Sequence, residues 1–194
     1  MKKKILGLYG SPRRDGNTDI LLKEALRGAR EAGFEIKEVF IRGLRISPCS
    51  ECRECEAKGL CVIDDDMQGL YSEFFGMDGI ILASPIFFYG LTAQTKMLID
   101  RCQCMWARKY MFKKPVSPEN SQRRGAFISV GATKGQRLFD GVVLTVKYFF
   151  DAIDVVYYKD LLLRGIDGRG DIKNHPDELK MAYALGKELL QGDS

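Results

Sequence analysis

The stretch Lys2 to Thr18, KKKILGLYGSPRRDGNT, constrains this chain more than any other. A short apolar run (Ile5, Leu6, Leu8) ends at Gly10, a polar loop closes on Asn17-Thr18, and a helical pattern starts at once. Strand, loop and helix in immediate succession is the unit from which open α/β sheets are wound, and such sheets keep their ligands at the carboxyl ends of their strands. The loop carries the donors an anion needs. Thr18 and the first amides of the helix offer free O–H and N–H groups, and the helix dipole adds partial positive charge. Ser11 and Asn17 add neutral donors, and Arg13 and Arg14 add guanidinium forks that match phosphate oxygens. Two common phosphate loops do not fit: no Lys precedes Thr18 as GxxxxGK[ST] requires, and Gly7 and Gly10 are wrongly spaced for GxGxxG. Taken alone, an ordinary polar turn with Thr18 as N-cap is the competing reading.

With 194 residues, the chain is expected to form one domain over 1–194, large enough to bury a sizeable core. Hydrophobic residues at 45% and charged residues at 29% argue against disorder. No apolar run reaches a bilayer span, and Lys2-Lys3-Lys4 leads into a strand rather than a signal-peptide core, so a cytoplasmic protein without membrane contact is expected. The net charge is +4, but acids and bases are interspersed, which gives no stripe for nucleic acid.

Along the chain, Leu22, Ala25, Leu26 and Ala29 recur at helical spacing up to Gly33, and Phe34 to Ile41 alternates as a strand toward a sheet edge. Gly43 to Val62 is irregular. Asp64-Asp65-Asp66 opens a helix through Phe75, with its acids at the positive helix end. Gly79 to Ala83 reads as a buried strand. One helix from about Thr92 carries Met97, Leu98, Cys102, Met105 and Trp106, and a polar connection with Pro115 and Pro118 follows. Gly125 to Val130 is a strand, Leu138 to Ile153 a strongly amphipathic helix, and Val155 to Leu163 the last strand. Asn174-His175-Pro176 starts a final helix through Leu190. Five strands alternating with five helices predict a three-layer, doubly wound parallel sheet, and a phosphate loop after the first strand selects the flavodoxin-like order 2-1-3-4-5.

In such a sheet the loops after strands one, three and four share a rim. The first offers phosphate donors. The second, Pro85-Ile86-Phe87-Phe88-Tyr89-Gly90, offers a flat apolar surface with free amides, although exposed aromatics also mark protein contacts. The third, Gly131-Ala132-Thr133-Lys134-Gly135, lets backbone approach a planar ligand. An anionic end and a flat, hydrogen-bonding end together describe FMN.

Four of the six cysteines lie between Cys49 and Cys61, in a cysteine-rich insertion at 47–63. Cys49, Cys52, Cys55 and Cys61 read C-x2-C-x2-C-x5-C. Bacterial ferredoxins use C-x2-C-x2-C because thiolates three residues apart fold around one compact inorganic core. Structural zinc more often takes two separated CxxC pairs. Four reduced thiols without metal are the third possibility. Cys102 and Cys104 read as a core and a surface thiol, and His175 as an exposed residue at a helix start.

These pieces resemble the NADPH-dependent FMN reductase and iron–sulfur flavoprotein group of flavodoxin-like proteins. The likeness rests on Ser11-Pro12-Arg13 with Gly16-Asn17-Thr18, the cysteines running into Cys61-Val62-Ile63-Asp64-Asp65-Asp66-Met67, Ser84 to Tyr89, and Lys96 with Asp100-Arg101. The resemblance implies FMN phosphate held by Ser11, Arg13, Asn17 and Thr18, with the ring against residues 85–90 and the loop from Gly131. It also implies a [4Fe–4S] cluster on the four cysteines and a homodimer or homotetramer with flavin near the subunit boundary. The expected activity is an FMN-dependent oxidoreductase. A ferredoxin-like donor would feed it through the cluster, and the electrons would leave to a small acceptor such as a quinone, dioxygen or peroxide. A cluster-free NAD(P)H-dependent FMN or quinone reductase is the alternative enzyme, and a non-catalytic electron carrier or redox sensor the alternative of another class.

Overall fold

Side-chain alternation along the first strand, β1 (Lys4–Tyr9), sets the layers. The computed structural model describes residues 2–117 and 122–191. In it Ile5 and Tyr9 point to one face of the sheet while Leu6 and Leu8 point to the other, and both sets are fully buried. β1 is flanked by β2 (Glu35–Phe40) and β3 (Gly79–Ala83), and beyond β3 lie β4 (Arg124–Gly131) and β5 (Val156–Arg164). All pairings are parallel and the order is β2-β1-β3-β4-β5, the flavodoxin-like topology expected from the alternation of elements. β3 is buried along its whole length, as a central parallel strand covered on both faces must be.

The first face is covered by α1 (Asn17–Glu31) and the C-terminal helix, with α2 (Glu54–Lys58), α3 (Met67–Gly76), α4 (Ala93–Arg101), α5 (Gln103–Tyr110) and α6 (Asp140–Ala152) between them in sequence. The C-terminal helix is α7 (Pro176–Glu188), with Pro in its first turn, where the missing N–H leaves no bond unmade. Leu21, Leu22, Ala25 and Leu26 of α1 and Ala182 and Leu185 of α7 meet Ile5, Ile81 and Ile128 in one core. Leu70 and Phe74 of α3, Leu98 of α4, Met105 of α5 and Val142, Val146 and Phe149 of α6 meet Leu6, Leu8, Leu82 and Phe127 in the other.

The described residues hold seven α-helices where five were expected. One extra helix, α2, forms inside the cysteine segment. The other arises because the helix after β3 is not continuous. Cys102, at φ −77 and ψ 4, caps α4 and opens α5. Its amide still donates to Ile99 O and its carbonyl still accepts from the Met105 and Trp106 amides, so the apolar spacing runs across the break and conceals it. Cys102 and Cys104 are both buried, so Cys104 is a core thiol rather than a surface one. Trp106, assigned to the apolar stripe, is 40% exposed, while Cys104, Met105 and Ala107 form the buried face of α5. Pro118 lies outside the described residues.

α1 and α7 cross at closest approach through two glycines. A Cβ on Gly186 would overlap the Ala25 carbonyl, and one on Gly28 would overlap that of Tyr183. Neither contact ends in a flexible side chain that could move aside. We expect Gly186→Ala to destabilise the fold by about 1–3 kcal/mol through overpacking. The check is urea unfolding, read as a lower midpoint at unchanged slope.

Candidate functional site

The loop after β1 is fixed at its root. The Gly10 amide donates to Ala83 O at 2.7 Å, and the Gly10 carbonyl accepts from Thr92 Oγ1 at 2.6 Å. A side chain at Gly10 would strike Thr95 and the backbone end of β3. The Ser11 hydroxyl accepts from the Arg13 amide at 3.1 Å, closing a local turn. From the other side Arg42, in the 3-10 turn Ile41–Gly43 after β2, donates to Ser11 O at 3.2 Å and pairs with Asp19 at 3.0 Å. Burial pushes the Asp19 carboxyl up, and Arg42 opposes that shift without cancelling it.

Gly16, extended, is the N-cap of α1, so Thr18 is the second helical residue and not the cap. Its side chain is buried, and among the described residues none hydrogen-bonds its hydroxyl. Ser11, Arg13, Gly16, Asn17 and Thr18 line a cavity of about 100 Å³ whose opposite wall is Pro85, Ile86, Phe87 and Ala132. Free first-turn amides, a hydroxyl and a guanidinium therefore meet an apolar wall across this space, an arrangement of donors suited to an anion. Arg14 lies in a separate depression with Lys23 and Arg42.

The rest of the rim is less uniform. Phe87 and Gly90 exchange hydrogen bonds (3.0 and 2.8 Å) around Phe88 and Tyr89, whose φ angles are 48° and 59°. Two left-handed residues make a type I′-like turn, which favours Asn-Gly, and a non-glycine residue in that region costs about 1–3 kcal/mol. The turn lifts Phe88 fully into solvent and leaves Tyr89 exposed, so Phe88, Tyr89 and Gly90 stand beside the cavity rather than in its wall. Gly131 is also outside the wall. A Cβ there would strike Leu138, and its carbonyl accepts from the Gly165 amide at 2.8 Å, so this glycine serves packing and strand-end closure. Thr133 is exposed and away from the wall.

A fourth loop completes the cavity, and the sequence reading missed it. Ile166, Asp167 and Arg169, after β5, line its floor and edge. Asn17 ties this loop down: its Nδ2 donates to Gly168 O at 2.9 Å and its Oδ1 accepts from the Ile172 amide at 3.2 Å. The Asn17 side chain is thus engaged within the chain. The available signal was Gly165, Gly168 and Gly170 crowded directly after the last strand with Arg169 among them, the pattern of a turning, anion-facing loop.

The cysteine segment forms a second cavity, of about 380 Å³, lined by Cys49, Cys52, Cys55 and Cys61 with Arg101 and Cys104. It shares no lining residue with the first. Glu51 and Arg53, left-handed at φ 53° and 60°, turn the chain between successive cysteines, and Gly59 at φ 68° ends α2. Cys49 and Cys52 are exposed, Cys55 and Cys61 half-buried, and the described cysteines are all free thiols. Among the described residues, no three His, Cys, Asp or Glu side chains converge as a single-ion site, and all four cysteines line the cavity.

Beneath them lies Arg101, with its side chain wholly buried. Nη1 donates to Asp65 Oδ2 at 2.6 Å and to Ser47 O at 2.9 Å, while Nη2 donates to Asp65 Oδ1 at 3.2 Å and Ile63 O at 3.3 Å. Asp65 in turn accepts from the Ser47 amide at 2.8 Å and the Met67 amide at 3.0 Å. One ion pair therefore gathers both ends of the cysteine segment and the start of α3. Burial alone would raise the Asp65 carboxyl, but Arg101 and the Ser47 and Met67 amides together hold it below its ordinary value. Burial pushes the Cys104 thiol up, in keeping with a core role.

A parallel sheet in the order 2-1-3-4-5, with a cavity of polar donors and an apolar wall at the carboxyl ends of its strands, has the flavodoxin-like α/β architecture. The sequence profile of the NADPH-dependent FMN reductase family matches residues 3–155. The chain is 42% identical over 197 aligned positions to an iron–sulfur flavoprotein of Methanocaldococcus jannaschii, covering 97% of this chain and 96% of that protein. It is 37% identical over 131 positions to an iron–sulfur flavoprotein of Methanosarcina thermophila, covering 68% of this chain and 64% of that relative's length. Among solved structures, an NAD(P)H:quinone oxidoreductase of Methanothermobacter marburgensis superposes with a TM-score of 0.74 at 14% identity, over 100% of this chain and 99% of that one, a likeness of fold. The chain belongs to the NADPH-dependent FMN reductase family of FMN-dependent oxidoreductases, within its iron–sulfur flavoprotein group.

Asp65 is the group on which the cysteine segment's base depends. We expect Asp65→Ala to cost about 3–5 kcal/mol, because it leaves the Arg101 charge buried without its partner. The native carboxyl is held below the ordinary value of 3.8, so its contribution is fully present above about pH 4. It is lost as the pH falls through the lower, folded-state value. Urea midpoints between pH 7 and pH 2 should show this decline in the natural chain and a flatter one in the variant.

Proposed function

We propose that the chain, acting as a single domain, binds FMN with its phosphate in the cradle of Ser11, Arg13, Gly16 and Thr18. The ring would lie outward against Pro85, Ile86, Phe87 and Ala132, with Phe88, Tyr89, Gly90, Gly131 and Thr133 bordering it. The observation that carries this reading is the cavity where first-turn amides of α1 face an apolar wall. Asn17 contributes by holding the fourth loop, so that Arg169 adds positive charge to the phosphate end.

Cys49, Cys52, Cys55 and Cys61 would hold a [4Fe–4S] cluster. The names of the relatives and the C-x2-C-x2-C-x5-C spacing support it, and all four cysteines line one cavity. When bound, the two groups supply two-electron and one-electron redox chemistry respectively. The chain's part is to bind and separate them. α4 connects the two sites, its N-terminal Thr92 fixing Gly10 and its last residue, Arg101, carrying the cysteine segment. Nine residues of helix make that connection about 13 Å long.

The physiological role we infer is electron transfer from a ferredoxin-like donor to a small acceptor such as a quinone, dioxygen or peroxide, within a homodimer or homotetramer. The solvent-facing Phe88 at the ring end supports a partner surface there. Anaerobic purification should give a coloured protein with iron and acid-labile sulfide near four of each per chain, and near-zero values would reject the cluster. Reduced ferredoxin should bleach the flavin faster than NADPH does, and fast bleaching by NADPH alone would sink the ferredoxin route. Thr18→Ala should weaken FMN by about 1.5–3 kcal/mol, the worth of a hydrogen bond to a charged group. An unchanged dissociation constant, read by flavin fluorescence, would remove Thr18 from the phosphate site.

A further inference from the structure

The four thiols have one charged neighbour whose bonding is incomplete. Arg101 spends its Nη groups on Asp65, Ser47 O and Ile63 O, but its Nε–H is buried and has no partner among the described residues. A buried donor on a charged group is costly to leave unmade, so an unpaired one beside four thiols calls for an acceptor in the assembled site. Arg101 lines the cysteine cavity together with Cys61, and its Nη2 is bonded to Ile63 O, two residues further along the chain from that cysteine.

We propose that Arg101 is a positioning and tuning residue of the cysteine site. Its Nη groups close the segment on Asp65, and its Nε–H is reserved for the Cys61 sulfur once that sulfur carries the negative charge of a metal ligand. This rests on the iron–sulfur reading of the four cysteines. A hydrogen bond to a ligating sulfur, together with a fixed positive charge beside it, stabilises the more negative, reduced state of the core and so raises its potential. Asp65 works in the opposite direction, because its carboxylate offsets part of the Arg101 charge. A residue that merely stapled the loop would affect how much cluster assembles but would leave the potential of the assembled fraction in place.

The test uses the full chain, reconstituted anaerobically with ferrous iron and sulfide, in its natural form and as Arg101→Lys, Arg101→Gln and Asp65→Asn. Iron and sulfide are counted per chain, and the cluster is titrated redox-potentiometrically by electron paramagnetic resonance. Arg101→Gln should shift the one-electron equilibrium at least tenfold toward the oxidised form, a fall of 59 mV. Arg101→Lys, which keeps the charge but loses the Nε–H, should fall by less. Asp65→Asn, which keeps Arg101 and removes the opposing charge, should rise. Loaded Arg101 variants with the natural potential would overturn the proposal while leaving the cluster reading intact. If the Arg101 variants do not assemble, Asp65→Asn decides: an unchanged or lower potential overturns the proposal, and a higher one supports it. A natural chain that takes up no iron or sulfide overturns the cluster reading and the proposal with it.

Discussion

Every strand of this sheet runs in the same direction, so every βα loop is delivered to one edge, and the chemistry of the molecule follows from that constraint. A parallel strand must be covered on both faces, which forces a helix between strands. The first turns of those helices then face the same rim. The cavity at that rim draws on four loops because four strand ends are there, and no single loop is long enough to build it alone. The loops are short and pinned at their roots: Gly10 between the end of β3 and the start of α4, and the Gly165 turn on Gly131.

The cysteine cavity is constructed differently. It sits on an irregular segment between an edge strand and α3, where there is no ladder to position four side chains. Its geometry depends on left-handed residues between the cysteines and on one buried ion pair at its base. Such a pair contributes little net stability compared with apolar packing, but breaking it is expensive, which makes it a device for holding one arrangement. The same Arg101 ends α4, whose other end holds the loop after β1 at Gly10. The two sites are thereby placed on one rigid element without sharing a residue.

Much of the fold was legible because its signals are periodic. The buried run 79–83, the alternation along 34–41 and the 3.6-residue spacing after Thr18 each report a local geometry that the tertiary structure had no reason to override. The break at Cys102 was not legible, since the apolar spacing continues through it. Cys104 was misplaced for the same reason, as a small thiol carries no pattern that says which way a broken helix turns. In the rim, Ser11, Arg13, Gly16 and Thr18 could be read as a group because they are neighbours in sequence. Arg169 could not, because only the sheet order brings the loop after β5 beside the loop after β1.

The sequence by itself determined the strand–loop–helix opening, the parallel doubly wound class and the four-cysteine spacing, all of which are local in the chain and set by side-chain period, turn chemistry and ligand separation. Tertiary structure alone decided which loops form the cavity wall, that Asn17 is engaged by the loop at Gly168, and that a buried arginine sits under the thiols. Those outcomes depend on which residues meet after burial. Burial is settled by packing two layers of helices on one sheet, a condition that no segment of the chain carries within itself.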